Sequence, residues 1–487
     1  MNETAIQGLK PEAVWKYFLE VSAIPRGSKN EKQVLEYIKK TAASLGLKYK
    51  QDKVGNVLVT KPASPGKEKS PTVILQAHTD MVCEKNREVQ HDFLKDGIKF
   101  HREGNYIKAD GTTLGSDDGI GVASLLSVLA DKSLTHGPIE GLFTIDEETG
   151  LTGANHIGPG FLSGSVMMNL DSEDEGVIYI GCAGGLDTKI NVPVKRKSVT
   201  GKVEALKVMI RGLKGGHSGV DIHLGRANAL KLLTRTLATI DSKIKSLKLV
   251  ALEGGSKHNA IPREAEADIV VSATDASKVA KIAADCEKVF RNAFSSVDPE
   301  VRVVVEKGKK AKQAFDDASK KRVLDTLYAL PHGVIRMSSD IPDLVETSTN
   351  VAVMKTLKAG VEIVTSQRSS IESEKEMIAS QVASVGQLSG AKIKVSDGYP
   401  GWQPNVSSRV LNVGKDTYRR VFGKEPAVKA IHAGLECGII NDKAGGGIDT
   451  ISFGPTIIGP HSPDERVEIG SVEKFYRFLV EILGAVA

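Results

Sequence analysis

The most constraining feature of the sequence is a set of acidic and histidine side chains placed directly after short apolar segments. These segments are residues 73–77 (VILQA), 141–145 (GLFTI) and 166–170 (VMMNL). Their length and composition predict buried strands, and residues 119–129 between the first two predict a helix. Strands separated by helices are typical of a mostly parallel α/β sheet.

The polar residues that follow these strands are those that bind metals or move protons. His78 and Asp80 follow the first strand, Glu147 and Glu148 the second, and Asp171 the third. In an open α/β sheet, ligands bind beyond the carboxyl ends of the strands. These side chains are therefore expected to converge, although they are far apart in the sequence.

Two further candidates come from glycine-rich and proline-rich turns. Asp117 lies in LGSDDGIG, next to Asp118, and His461 lies in GPTIIGPHSPDER. Two histidines and several carboxylates without a thiolate suit zinc, cobalt or manganese. A carboxylate that bridges two ions about 3.5–4 Å apart would leave a water between them.

Each candidate alone has an ordinary explanation. His78 could be a hydrogen-bonded core histidine, His461 a surface residue, and Glu147 with Glu148 a solvated acidic turn beside Asp146. Their shared placement at neighbouring strand ends favours a site over these explanations.

The pattern of predicted strands and helices changes twice along the chain. We expect one part of a catalytic domain over residues 1–185, an inserted α+β lid domain over 186–398, and the rest of the catalytic domain over 399–487. Within the lid, a strand pair, a helix and a strand recur in 259–306 and 350–395, which indicates an internal duplication.

Composition excludes several classes of function. The 65 basic and 60 acidic residues are scattered, so nucleic-acid binding is disfavoured. We expect no signal peptide and no membrane span, hence a cytoplasmic protein, because no charged start precedes an apolar run. The four cysteines show no CxxC spacing, which argues against a disulfide framework and a thiolate zinc site.

The series AHTDMV, LGSDDGIG, DEETG, LDSED, GGHSG and a late PH resembles the co-catalytic dizinc exopeptidase family that includes carboxypeptidase G, aminoacylase, tripeptidase and carnosinase. The resemblance spans nearly the whole chain. HTDMVCEKN, GTTLGSDDGIG, GGHSGVDIHLGRANA and HAGLECG are similar to its bacterial aminoacyl-histidine (Xaa-His, β-alanyl-histidine) dipeptidase branch. This implies hydrolysis of dipeptides with free termini, carnosine-like ones included, and two divalent ions, zinc first, with cobalt or manganese as substitutes.

The resemblance also implies how the ligands are shared. One ion would be bound by His78, Asp117 and Asp171, and the other by Asp117, Glu148 and His461, with Asp117 as the bridge. Relatives often carry asparagine where this chain has Asp118, and the alignment with the family motif selects Asp117 as the bridge.

Two more residues would serve the reaction without binding metal. Asp80 would accept a hydrogen bond from the His78 imidazole and hold its tautomer. Glu147 would act as the general base, taking a proton from the bridging water and passing it to the leaving amine.

In the lid, the resemblance assigns His217 (GGHSG) to the oxyanion, Asn259 (HNAIP) to the substrate, and Arg368 (SQRSS) to the substrate carboxylate. A phosphate-binding loop around His217 is the alternative, but the lysine of a P-loop is missing. Asn259 and Arg368 could instead each pin their own hairpin. Glu436 (HAGLECG) could bind the substrate α-amine or cap the following helix.

Other functions stay open. An N-acyl amino acid deacylase or a carboxypeptidase would share the metals and Arg368 but would need no group for an α-amine. A non-catalytic binding protein would be expected to lose a ligand or the base, and this chain retains Glu147. In smaller family members the lid histidine comes from a partner subunit. A duplicated lid would let one chain complete its own site, so that a homodimer becomes optional.

Overall fold

The computed structural model describes residues 2–487. Its helices are α1 (Asn2–Ile6), α2 (Glu12–Ser22), α3 (Lys32–Ser44), α4 (Ser116–Ala130), α5 (Glu147–Gly150), α6 (Thr152–Asn155), α7 (Ala229–Lys243), α8 (Ala276–Ala293), α9 (Asp317–Ala329), α10 (Glu372–Leu388), α11 (Arg409–Phe422), α12 (Glu436–Lys443) and α13 (Ile469–Val486). A short 3₁₀ helix spans Ile222–Leu224.

The strands are β1 (Lys48–Gln51), β2 (Val57–Lys61), β3 (Val73–His78), β4 (Phe100–Glu103), β5 (Tyr106–Ala109), β6 (Ile139–Thr144), β7 (Val166–Asn169), β8 (Val177–Cys182), β9 (Gly184–Pro193), β10 (Arg196–Ser198), β11 (Val203–Arg211), β12 (Gly216–His217), β13 (Lys248–Gly254), β14 (Ala260–Ile261), β15 (Ala265–Ser272), β16 (Arg302–Lys307), β17 (Gln313–Phe315), β18 (Gly333–Met337), β19 (Val345–Thr356), β20 (Gly360–Ser369), β21 (Lys392–Val395), β22 (Ala427–Ile431), β23 (Asp449–Ser452), β24 (Ile457–Ile458) and β25 (Arg466–Glu468).

The chain forms two compact units. The first comprises Met1–Gly181, Trp402–Ala430 and Leu435–Ala487, and the second comprises Cys182–Gly401 and Ile431–Gly434. The short segment Ile431–Gly434, which joins the second unit from within the C-terminal part of the chain, was not anticipated from the sequence. No helix within residues 2–487 is both long and apolar enough to cross a bilayer.

The first unit is built on an eight-stranded sheet of order β1-β2-β6-β3-β7-β23-β8-β22. The expected parallel arrangement holds for the four central strands, because β6, β3, β7 and β23 pair in parallel. On either side the pairing becomes antiparallel, at β1-β2-β6 and at β23-β8. The sheet is therefore mixed, and its parallel centre is the part that aligns the strand ends.

Helix α4 is the central helix of this unit and extends the predicted helix at both ends. Residues from Ser116 to Leu129 are all buried, and the helix packs against β3 and α2. A helix that is apolar on every side is stable only in such surroundings. Its first turn carries Asp117 and Asp118, so the core holds these carboxylates in place.

The second unit contains a nine-stranded sheet with order β16-β11-β15-β13-β19-β20-β9-β21, and β18 pairs with β19. Half of it is the series β11-α7-β13-β15-α8-β16, and the other half is β9-α9-β19-β20-α10-β21. If the four strands of each half are numbered in chain order, both halves have the order 4-1-3-2 across the sheet. All of these pairings are antiparallel. The two halves meet at β13 and β19. The sequence pattern at 259–306 indicated only part of the first half, because the strand that pairs with β15 is β13, which precedes residue 259.

Helix α7 begins at Ala229. The Asn228 side chain accepts hydrogen bonds from the backbone of Leu230 and Lys231 and caps the helix. The Asn228 amide also donates to the carbonyl of Val351, which lies in the other half of the sheet. This asparagine therefore helps to join the two halves.

Candidate metal centre

The parallel strands of the first unit bring the predicted ligands to one edge of the sheet. In the register, His78 lies beside Thr144 of β6, and Gln76 lies beside Asn169 of β7. His78 ends its strand, while Glu147, Glu148 and Asp171 follow within a few residues of the neighbouring strand ends. Residues far apart in the sequence thus become neighbours, as expected for such a sheet.

Asp117 lies between the two histidines of the site. Its Oδ1 is 3.0 Å from His78 Nε2, and its Oδ2 is 3.2 Å from His461 Nε2. A carboxylate that presents one oxygen to each of two imidazoles has the geometry required of a bridge between two metal ions.

Asp118 is placed differently, although one of its oxygens lies within 4.8 Å of ligand atoms of His78 and Asp171. Its two oxygens accept hydrogen bonds from the backbone N–H groups of His78 and Gly121, each at 3.1 Å. Both oxygens are therefore already engaged by the main chain, and we favour Asp117 as the bridging ligand.

The remaining contacts form two groups around Asp117. His78 Nε2 lies 3.2 Å from Asp171 Oδ1, and His461 Nε2 lies 3.1 Å from Glu148 Oε2. Nε2 of each histidine therefore faces two carboxylates, whereas a single imidazole N–H can point at only one of them. Two ligand atoms each about 2.0 Å from a tetrahedral ion are about 3.3 Å apart, so these spacings suit ligands that surround an ion.

The electrostatics of the cluster also fit bound cations. Burial raises the pKa of Asp171 to about 7, and burial together with Asp171, Glu436 and Glu148 holds the pKa of Glu147 well above its usual range. Buried carboxylates this close repel one another unless positive charge lies among them. The carboxylates of Asp117 and Glu148, which accept hydrogen bonds from the His461 ring, raise its pKa to about 11, so this position also favours a positive charge.

Asp80 lies next to both the His78 ring and the turn that carries Glu147. Its Oδ1 is 3.3 Å from His78 Nδ1. In addition, its two oxygens accept hydrogen bonds from the backbone N–H groups of Glu147 (3.0 Å) and Glu148 (3.2 Å). Asp80 therefore links the His78 strand end to the turn that carries the candidate base.

Glu147 lies in the short helix α5, and one of its oxygens is within 4.8 Å of ligand atoms of both His78 and Glu148. Asp146, which precedes it, has a positive φ of 47°. Glu148 also groups with Asp117 and His461, so the two adjacent glutamates have different neighbours in the cluster.

Glu436 is fully buried in the same unit. Its Oε2 accepts hydrogen bonds from Gln76 Nε2 (2.6 Å) and Thr144 Oγ1 (2.7 Å), whereas its Oε1 has no partner. It is the first residue of α12, and the N-cap position of that helix is Leu435. Burial raises its pKa to about 8.

The second unit holds the other predicted residues. The Nδ1 atom of His217 accepts hydrogen bonds from the backbone N–H groups of Gly219 (3.2 Å) and Val220 (3.0 Å). Burial and the nearby Arg368 lower its pKa to about 4, so the ring is neutral at pH 7. Because Nδ1 accepts, the single ring proton is on Nε2, and His217 is a neutral donor.

Arg368 and Asn259 lie close to this histidine within the unit. A Cβ atom built on Gly219 would lie 2.1 Å from the His432 carbonyl oxygen, 3.1 Å from the His217 ring and 3.3 Å from Arg368 Cδ, so the approach to His432 requires glycine. The backbone carbonyl of Asn259 accepts a hydrogen bond from Ser218 N, and the Asn259 side chain is exposed. These three residues therefore form one neighbourhood.

Sequence reasoning missed two residues of this neighbourhood. The Tyr399 hydroxyl accepts a hydrogen bond from Arg368 Nη1 at 2.8 Å, so Arg368 is held by Tyr399 rather than by its own hairpin. His432 is buried, with Nε2 2.7 Å from Ser348 Oγ and Nδ1 without a partner. Tyr399 directly follows Gly398 in DGYP, and His432 lies two residues before Gly434 in IHAG, so a nearby glycine was the available signal.

Comparisons with known proteins point to one family. The family model described as Peptidase family M20/M25/M40 matches residues 74–485. The chain is 42% identical over 475 residues to the cytosol non-specific dipeptidase of Escherichia coli (strain K12), and the match covers 98% of each chain.

Solved structures agree with this match. The crystal structure of aminoacylhistidine dipeptidase from Vibrio alginolyticus has a TM-score of 0.91 at 40% identity, over 100% of this chain and 99% of that chain. The aminopeptidase PepT from Bacillus cereus has a TM-score of 0.57 at 19% identity, over 98% of this chain and 99% of that chain. The second similarity is one of fold alone.

Proposed function

Because the chain belongs to peptidase family M20/M25/M40, and is therefore a hydrolase acting on peptide bonds, we propose that it cleaves dipeptides with free termini, Xaa-His dipeptides included. The observation that carries the proposal is the Asp117 carboxylate, which presents one oxygen to His78 and one to His461. The Escherichia coli relative is named a non-specific dipeptidase and the Vibrio relative an aminoacylhistidine dipeptidase. Dipeptides are the substrates that both names share.

The donor set fits two divalent ions, zinc first and cobalt or manganese as substitutes. One would be held by His78, Asp117 and Asp171, and the other by Asp117, Glu148 and His461. Such ions acidify water and polarise a carbonyl when bound. Asp80 keeps the His78 ring oriented so that Nε2 faces the cluster.

Glu147 moves the proton in this proposal. Its carboxylate takes a proton from the attacking water and gives it to the amine that leaves as the peptide bond breaks. Asp80 holds the backbone N–H of Glu147 and so keeps the base in register with the ligands.

His217 is proposed to donate its Nε2 proton to the oxyanion that forms on the substrate carbonyl. Since the ring is neutral and its tautomer is set by Gly219 and Val220, the donor is prepared before substrate binds. We expect His217→Ala to lower kcat by about 10²- to 10³-fold. The exposed His223 provides a control, and a similar loss in His223→Ala would contradict the assignment.

Arg368 is proposed to bind the substrate's free carboxylate, with Tyr399 holding the guanidinium. We expect Arg368→Ala to raise KM for free dipeptides by about 10- to 150-fold, the range for loss of a charge-assisted hydrogen bond. Dipeptide amides, which lack that charge, should change little. Arg368→Lys keeps the charge but not the planar fork, and should restore only part of the binding. Equal effects on acids and amides would remove Arg368 from this role.

Glu436 and Asn259 are proposed to bind the rest of the dipeptide. The unpartnered Oε1 of Glu436 suits the substrate α-ammonium, which distinguishes a dipeptidase from an N-acyl amino acid deacylase. The exposed Asn259 amide would contact the substrate backbone. His217 and Asn259 lie in or beside the small β12-β14 sheet, which connects strands of the first half, and Arg368 lies in β20 of the other half, so one chain supplies all three and a homodimer is optional.

The domain roles follow from these placements. We propose that the first unit is the catalytic domain and that the second unit is a lid, as expected for residues 186–398. A cytoplasmic location is proposed as well, on the strength of the cytosolic relative from Escherichia coli.

The test uses metal-stripped protein to which zinc, cobalt or manganese is returned. β-Alanyl-histidine, Leu-His and Ala-Ala are offered beside their N-acetylated forms, and the release of free amino acids is measured. We expect metal-dependent cleavage of the unblocked dipeptides only. Cleavage of the acetylated forms alone would show a deacylase, and no metal-dependent cleavage of either would overturn the proposal.

A further inference from the structure

Glu465 is a buried carboxylate that accepts an unusual number of hydrogen bonds. Only 2% of its surface is exposed. The donors belong to four consecutive residues: Leu114 N (2.8 Å) and Gly115 N (2.9 Å) on Oε2, and Ser116 N (2.7 Å), Ser116 Oγ (2.6 Å) and Asp117 N (3.3 Å) on Oε1. Both oxygens are thus committed to one turn of main chain.

This turn and Glu465 belong to the two chain segments that carry ligands. The turn ends at Asp117, the proposed bridge, and Glu465 lies four residues after His461. The two ligand side chains approach to 3.2 Å. Glu465 is therefore a second, independent link between the segments whose ligands must meet.

Arg26 holds the opposite side of the same turn. Its buried guanidinium donates from Nη1 to the carbonyls of Thr79 (3.1 Å) and Asp80 (2.7 Å), and from Nη2 to the carbonyl of Gly115. A Cβ atom on Gly115 would lie 2.7 Å from Arg26 Nη2, and its φ is 67°, so glycine is required there. Arg26 thus ties the His78 strand end to the turn.

The two side chains also balance each other's charge. Burial lowers the pKa of Arg26, and the Glu465 carboxylate is the largest influence in the opposite direction. Burial raises the pKa of Glu465, against the hydrogen bonds from Ser116 and Gly115. Neither charge would be stable in this interior alone.

We propose that Glu465, with Arg26 as its counter-charge, is a positioning residue that sets the spacing between Asp117 and His461 and so determines the affinity for the ion that these two share with Glu148. The proposal rests on the metal centre proposed above. That ion depends on both linked segments, whereas the ion at His78, Asp117 and Asp171 depends on one of them only.

Glu465→Gln is the sharpest variant. Glutamine has the same size, but an NH2 group replaces one accepting oxygen and would face backbone N–H groups on one side of the turn. We expect the affinity for the ion at Asp117, Glu148 and His461 to fall about 10- to 100-fold, as is typical when a residue that orients metal ligands is replaced. Affinity for the other ion should fall less. Competition with a chelator measures both binding steps.

Glu140→Gln is the matched control. Glu140 is a buried carboxylate at the start of β6, at the other end of the strand from Glu147, and it accepts four hydrogen bonds from Ser163 and Gly164. Its replacement should destabilise the metal-free protein to a similar extent but leave both metal affinities unchanged. Thermal unfolding of the metal-free variants measures this loss of stability.

A milder variant is available in case Glu465→Gln does not fold. Ser116→Ala removes one hydrogen-bond donor to Glu465 and should lower the affinity for the same ion by a smaller factor. Unchanged metal affinities in Glu465→Gln, or equal losses in Glu465→Gln and Glu140→Gln, would overturn the proposal. If the unaltered protein binds no metal, the proposed function fails first, and this proposal fails with it.

Discussion

Replacing Glu147 by alanine is expected to remove nearly all turnover while both metal ions stay bound. The side chain is proposed to move a proton and not to bind metal, so its loss affects the chemical step alone. General acid–base catalysis contributes about 10²- to 10⁴-fold, and kcat on an unblocked dipeptide should fall by that factor. Metal content per chain is measured on the same sample.

The adjacent glutamate provides the matched control. Glu148 lies 3.1 Å from His461 and is a proposed ligand, so Glu148→Ala should lose an ion as well as activity. The two variants together separate the base from the ligand. Near-normal turnover in metal-loaded Glu147→Ala would show that another group carries the proton.

Replacing Asp117 by alanine is expected to release both ions. The carboxylate contacts both histidines, and each proposed ligand group loses a member when it is removed. Added metal should then no longer stabilise the protein. For the unaltered chain, an ion at 100 times its Kd contributes about 2.7 kcal/mol to the free energy of unfolding. Metal analysis after gel filtration and the shift in Tm on metal addition measure the two effects.

Asp118→Asn tests the alternative bridge. Asp118 accepts backbone N–H groups of His78 and Gly121, and asparagine keeps one accepting oxygen of the same size. We expect this variant to retain both ions. Two tightly bound ions in Asp117→Ala, with loss of metal in Asp118→Asn, would reverse the assignment of the bridge.

Much of the candidate site at the edge of the first sheet could be predicted, because it depends on local rules. Apolar runs of strand length followed by polar residues predicted β3, β6 and β7, and parallel pairing places their ends side by side. His78, Glu148 and Asp171 therefore could be grouped from the sequence. Part of the duplicated half-sheet was visible as well, because each half repeats the same order of elements.

Other features depend on pairings between distant segments, which a single sequence does not specify. Nothing in PHSPDER shows that Glu465 accepts hydrogen bonds from the backbone N–H groups of residues 114–117. Likewise, nothing in SAIPRGS shows that Arg26 donates a hydrogen bond to the carbonyl of Gly115. The second task of Asp80, holding the Glu147 and Glu148 backbone, has the same origin. A hydrogen bond to a backbone N–H or carbonyl places no requirement on the side chain of the residue that provides it. Such a bond therefore leaves no signal in the sequence.

The sequence by itself determined which side chains are candidates for the site, the parallel strands that present them and part of the repeat in the second unit. These follow from residue type and short-range periodicity, which act within a few residues along the chain. The tertiary structure decided which of two adjacent aspartates faces both histidines, which nitrogen of His217 keeps its proton, and where the sheet turns antiparallel. Those outcomes depend on packing between segments far apart in the chain, where a shift of a few tenths of an ångström changes the partner of a polar atom.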